Sequence, residues 1–115
     1  MKKSGFYLVV NLYQEKVFGD VLIAMTAAGV KDVLSLSGAN ETRRLPHTVP
    51  IFAGFKGLLG KTSPISKVLT AYIEEESMAD EMLSHLKAGD VDLIGDDLGS
   101  LVVIPAHVYY SKDGS

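Results

Sequence analysis

The sequence predicts an α+β domain in which two helices cover one face of an antiparallel sheet. Two segments of helical period each follow a short β-branched or aromatic run, and each ends at a glycine, Gly29 or Gly89. A continuous apolar run, Leu101-Val-Val-Ile104, then stands between Gly99 and Pro105. With 115 residues the chain can bury one core and is too short for two, so we expect a single domain over 1–115.

Residues 6–13 are rich in β-branched and aromatic side chains and read as the first strand, with Asn11 as a turn residue near its end. From Glu15 the period changes: Val17, Val21, Leu22, Met25 and Ala28 recur at helical spacing, and Gly29 stands at the C-terminal cap position. Residues 33–36 form a second strand closing at Gly38, and residues 68–73 a third. Ser77-x-x-Asp80 reads as a capping box for a second helix carrying Met78, Met82, Leu83 and Leu86, stopped by Gly89. Residues 101–104 are expected as a central, fully buried strand, and 108–110 as a short edge strand.

The order is β-α-β, insert, β-α-β, the split pattern of a ferredoxin-like βαββαβ fold. Strands one, three and four carry apolar residues at adjacent positions, so both sheet faces are apolar in part. Two helices cover one face only. The other asks for a partner, and we expect a homo-oligomer that buries it; the alternative is a monomer whose insert folds back over it.

The insert is chemically distinct. Between Glu41 and Glu74 there is no acidic residue, while Arg43, Arg44, Lys56, Lys61 and Lys67 give the window +5. The remainder, six basic against fourteen acidic residues, carries −8. Pro46, Pro50 and Pro64 punctuate the stretch, and Phe52, Phe55, Leu58 and Leu59 make it apolar. Such a segment suits an anion, a nucleotide or a partner surface. Two readings of residues 51–59 stand side by side: a short element pressed on the oligomer core, or a mobile effector loop that docks on a partner.

Composition excludes several classes. A net charge of −3 argues against general nucleic-acid binding, and 47% hydrophobic with 22% charged residues excludes wholesale disorder. The absence of cysteine removes disulfides, thiolate metal sites and cysteine nucleophiles, and suits a reducing cytoplasm. Lys2-Lys3 before an apolar run superficially resembles a signal peptide, but Asn11 and Gln14-Glu-Lys16 break the run and no cleavage site follows.

The motifs point away from catalysis. Gly57-Leu-Leu-Gly60-Lys61-Thr62 lacks the first glycine of a P-loop, Phe55 standing in its place, and Pro64 follows instead of a helix. Asp90, Asp92, Asp96 and Asp97 do not make a calcium loop, because Ile94 and Leu101 occupy ligand positions. His47, His85 and His107 show no metal-ligand spacing, and no serine sits in a nucleophile turn. The turn Gly95-Asp-Asp-Leu-Gly99-Ser100 could offer backbone N–H groups to a phosphate, but its two aspartates favour a structural turn. Glu74-Glu-Glu76 is explained by the positive end of the second helix.

Element order, the place of the insert and the run Gly99-Ser-Leu-Val-Val-Ile-Pro105 together resemble the PII-like signal-transduction family over nearly the whole chain. Pro50-Ile-Phe-Ala-Gly54 is more similar to a divergent branch of that family than to true PII, the nitrogen regulatory protein. The resemblance implies a non-enzymatic, cytoplasmic homotrimer of ferredoxin-like subunits. It further implies an adenine nucleotide (ATP, ADP or AMP) or another anion in the subunit cleft. The loop over 39–65 would contact a protein partner, a membrane transporter or an enzyme. Gly38, Arg43, Arg44, Gly99 and Ser100 are then the candidate ligand-binding residues, and Phe52, Phe55, Leu58 and Leu59 the candidate interface residues, with no metal and no catalytic residue. Ser100 stands where the family has its phosphate-binding lysine, Lys112 is the sole relic of the basic pair after the last strand, and 39–65 has neither tyrosine nor glutamine. Loop uridylylation is thereby excluded, and magnesium-linked 2-oxoglutarate binding loses its glutamine. A CutA-like trimer associated with metal tolerance, and a small ferredoxin-like enzyme using the open sheet face, are the alternatives.

Overall fold

The computed structural model describes residues 2–42 and 65–112. Within them β1 (Lys2–Leu12) leads through a 3-10 turn, Glu15–Val17, into α1 (Phe18–Ala27); β2 (Leu34–Ala39), β3 (Ile65–Ile73), α2 (Ser77–Ala88) and β4 (Gly99–Tyr110) follow. The four strands form one sheet in the order β2-β3-β1-β4, and all three neighbouring pairs are antiparallel. The domain is therefore α+β with two helices and a four-stranded antiparallel sheet, an arrangement compatible with the ferredoxin-like expectation.

The strand period divides the two faces. Leu8, Val10 and Leu12 of β1 and Leu69, Ala71 and Ile73 of β3 are buried. They share one core cluster with Val21, Ala24 and Met25 of α1 and Ala79, Met82 and Leu86 of α2. Both helices thus pack on the same face. Leu101 and Val103 of β4 join them from the edge.

Helix α1 ends as its sequence demands. Gly29 takes φ +87, and Val30 N–H donates to the Met25 carbonyl while Gly29 N–H donates to that of Thr26. Helix α2 ends at its C-cap Gly89 as expected, although the glycine does not take the left-handed position. There Gly89 has φ −96, and Asp90, at φ 64, occupies the left-handed position, with Val91 N–H bonded to the Leu86 carbonyl. The capping box is not made either: Glu76 is the N-cap, with no side-chain cap bond. The first turn closes instead through Met78 N–H to Glu75 and Ala79 N–H to Glu76.

Two further corrections concern strands. Asn11 is not a turn residue: it lies within β1, opposite Val68 and Ser100. β4 is not a central buried strand but a twelve-residue edge strand, and the separate strand expected at 108–110 is its continuation past a register shift at Lys3/Gly5. A continuous apolar run reads as burial on both faces, whereas here Val102 and Ile104 face away from the helices and are 53% and 47% exposed.

Candidate functional site

The face of the sheet opposite the helices is assembled by register. One row places Leu34, Thr70, Val9 and Val102 side by side; the next places Leu36, Val68, Asn11 and Ser100. Tyr72, Tyr7 and Ile104 form a row above, and Gly38 with Ser66 one below. None of these side chains is charged. Leu34 and Leu36 are 57% and 53% exposed, comparable to Val102 and Ile104. The face is thus a neutral, largely apolar surface broken by hydroxyls and one carboxamide. Within it the Oδ1 of Asn11, the Oγ of Ser66 and the Oγ1 of Thr70 are shielded from water, with no hydrogen-bond partner among the described residues.

The end of the face toward Tyr72 is closed by a built cluster. The Tyr72 hydroxyl donates to the Ser4 carbonyl at 2.9 Å, and its ring stacks on Tyr109 with centroids 4.0 Å apart. The Lys3 ammonium lies 5.2 Å from the centre of the Tyr72 ring and pairs with the Glu74 carboxylate. Gly5 makes room for it: a Cβ there would meet the Tyr72 hydroxyl oxygen and the Ile73 carbonyl. The bond to Glu74 raises the Lys3 ammonium above its ordinary pKa, and the same bond lowers the Glu74 carboxyl below its own.

At the opposite end of the sheet stand the described members of the expected ligand set. Gly38 is near the end of β2, opposite Ser66, and Gly99 and Ser100 begin β4, opposite Leu12 and Asn11. All three lie at the end of the sheet where β2 finishes and β3 begins. They are not adjacent: β3 and β1 intervene, and three strand spacings amount to about 14 Å. A ligand touching both groups within one copy must span that distance, whereas a cleft between copies need not be bounded by one sheet.

Individual roles also sharpen. A Cβ on Gly99 would lie 2.5 Å from the Asn11 carbonyl oxygen, so close approach of β1 accounts for this glycine. At Gly38 a Cβ would meet nothing within 4 Å, and packing gives no reason for a glycine there. Ser100 is half-buried beside Asn11 on the open face. The preceding turn is structural. Gly95 N–H donates to the Asp92 carboxylate at 3.1 Å, and the N–H groups of Asp96, Asp97 and Leu98 donate to the carbonyls of Asp92, Ile94 and Leu93. Those donors are spent within the turn. Of the five cations in the acid-free window, Lys67 is described. It stands 3.8 Å from the Glu15 carboxylate and 5.6 Å from the Phe18 ring centre. Arg43, Arg44, Phe52, Phe55, Leu58 and Leu59 lie outside the described residues.

The sequence anticipates a face that the two helices leave open but not its polar seam. Asn11, Ser66 and Thr70 become neighbours only through strand pairing; the one signal in the chain was a carboxamide inside an otherwise apolar run. Among the described residues no group of histidine and carboxylate side chains is placed to hold a metal ion, and no helix is long and apolar enough to cross a membrane. Comparison with protein-family models and with curated proteins gives no match.

Proposed function

We propose that this chain is a non-enzymatic regulatory protein: a PII-like homotrimer of ferredoxin-like subunits that binds an adenine nucleotide or another anion between subunits and contacts a protein partner through the 39–65 loop. The observation that carries the proposal is the half-exposed apolar face opposite the helices, with Leu34, Leu36, Val102 and Ile104 at 47–57% exposure and the Lys3–Glu74 ion pair kept to its Tyr72 end. Groups near a closed symmetry axis meet their own copies, and the rows from Leu34 to Val102 and from Leu36 to Ser100 place no charge there. An obligate interface of this kind resembles a domain core cut in two.

The strand order β2-β3-β1-β4 supports the ferredoxin-like reading, because each helix then connects two strands that have a third lying between them. It also puts the loop's point of departure and the start of β4 at one end of the sheet. Arg43, Arg44 and Lys61, from the acid-free window, supply the positive charge that Ser100 does not. Phe52, Phe55, Leu58 and Leu59 supply the contact with the partner.

Mass measurement in solution together with a thermal-shift series of ATP, ADP, AMP and divalent metals tests this reading. The expected result is a trimer stabilised by an adenine nucleotide. Ligand at a hundredfold excess over its Kd contributes about 2.7 kcal/mol of apparent stability, an easily read shift. A 12.4 kDa monomer would refute the proposal. Replacing both Arg43 and Arg44 by alanine is expected to weaken nucleotide binding at least tenfold; unchanged affinity removes them from the site.

A further inference from the structure

We infer that the half-open cavity where the end of α1, the end of β3 and the start of α2 meet binds a small zwitterion, an aliphatic α-amino acid, whose carboxylate pairs with Lys31 and whose ammonium pairs with Glu74. The site needs neither the 39–65 loop nor a second copy, so it stands apart from the function proposed above.

The cavity measures about 160 Å³ and is lined by Gly29, Lys31, Tyr72, Glu74 and Met78. Each wall has a local cause. α1 closes on Gly29 at φ +87, and the missing side chain leaves space beside Met78, whose Cε would stand 3.7 Å from a Cβ there. Met78 is held in the first turn of α2, where it packs on the core. The Tyr72 ring is fixed by its bond to the Ser4 carbonyl and its stack on Tyr109. An apolar wall that is already in place costs no ordering when a ligand arrives.

Two opposite charges share this small space. Lys31 lies in the link from α1 to β2, and Glu74 follows directly on β3. Glu74 gives its Oε1 to Lys3, while its other oxygen has no partner among the described residues. Lys31 forms no ion pair among them either. The two groups still sense each other: the Glu74 carboxyl is lowered chiefly by its bond to Lys3 and, to a lesser degree, by the Lys31 ammonium. Both charges thus reach the cavity without closing on one another.

The chemistry selects the ligand. A simple anion satisfies Lys31 but meets the free oxygen of Glu74, and a simple cation satisfies Glu74 but meets Lys31. A molecule carrying both charges pairs with each. At ~30 Å³ per water molecule the space holds about five waters, which suits a small amino acid with its side chain against Tyr72 and Met78. It is well short of the roughly 300–1,000 Å³ that larger ligands occupy, so a nucleotide does not fit.

The test is calorimetric titration of the full chain with L-valine, and with isovalerate and isobutylamine, its analogues lacking the ammonium and the carboxylate. Valine is expected to bind with one site per chain, and each analogue at least tenfold more weakly, because it leaves one charge of the site unpaired. Lys31→Gln and Glu74→Gln, each shown to be folded by circular dichroism, should both weaken valine at least fivefold. Glu74→Gln should at the same time leave isovalerate unweakened, since it removes the repelling carboxylate and frees Lys3. No saturable binding of valine overturns the inference. So does isovalerate binding as well as valine, or a folded Glu74→Gln protein that keeps the wild-type affinity for valine.

Discussion

Val102 and Val103 are chemically identical neighbours on β4, yet replacing each by lysine should have opposite consequences. Val102 is half-exposed on the open face, whereas Val103 packs against the core beneath the helices. If association buries the face, then Leu34, Leu36, Val102 and Ile104 each lose their remaining exposure, about half of a side chain. Full burial of such a side chain contributes about 1.5–3 kcal/mol, so each half contributes about 1 kcal/mol and the four together about 4 kcal/mol per copy. That sum corresponds to roughly a thousandfold in the association constant. Val102→Lys removes its own share and places an ammonium where each copy brings another. Its share is about 1 kcal/mol, roughly fivefold, and taking an unpaired ammonium out of water costs several kcal/mol more, so dissociation by about a thousandfold is expected, with the fold retained. Sedimentation or light scattering across 1–100 μM, beside far-UV circular dichroism, reads both quantities. Melting temperature should rise with protein concentration for wild type and not for the variant. Val103→Lys should unfold the subunit instead. A Val102→Lys protein of wild-type mass would refute burial of this face, and an equal loss of fold in both variants would refute the assignment of faces.

Three further outcomes follow from local geometry. Gly5→Ala drives a methyl into the Tyr72 hydroxyl and the Ile73 carbonyl, displacing the ring from Ser4 and Tyr109; a loss of about 2–3 kcal/mol is expected by urea unfolding, against about 1 kcal/mol for Tyr72→Phe, which loses only the hydroxyl bond. Asp90→Gly relieves a non-glycine residue at φ 64 and removes a negative charge from the C-terminal end of α2, and should add about 1 kcal/mol, seen as a melting temperature higher by several degrees. The Lys3–Glu74 pair should leave a signature at both ends of the pH range. Because the Glu74 carboxyl is lowered from 4.5, its stabilisation is present above that value and fades as pH falls through the folded pKa. Because the Lys3 ammonium is raised from 10.5, its stabilisation is present below that value and fades as pH rises through the folded one. Glu74→Gln should flatten both limbs of the urea-midpoint profile. Salt should shrink the wild-type effect, since the pair is exposed to solvent.

Local chemistry carried much of the architecture. Helical spacing of Val17, Val21 and Met25 located the first helix, and Gly29 its end, because a glycine in the left-handed region is the least strained way to close it. The second helix shows where local signals compete. Gly89 is the C-cap but leaves the left-handed position to Asp90, and in place of a Ser77 cap the first turn closes with Met78 and Ala79 N–H donating to the Glu75 and Glu76 carbonyls. At β4, unbroken hydrophobicity was read as a central position. Strand order is set by long-range pairing with β1, which no run of side chains encodes by itself.

The site divides along the same line. The sequence by itself determined that a basic, acid-free insert sits between the second and third strands, and that two helices can cover only one sheet face, since charge and hydrophobic period are properties of the chain in any conformation. Only the tertiary structure decided which residues meet. It set Asn11 beside Val68 and Ser100, enclosed its carboxamide oxygen without a donor among the described residues, and held Gly38 and Gly99 three strands apart. The reason is geometric: pairing register converts residues distant in sequence into rows on one face, and shifting a strand by one residue would send each of them to the other.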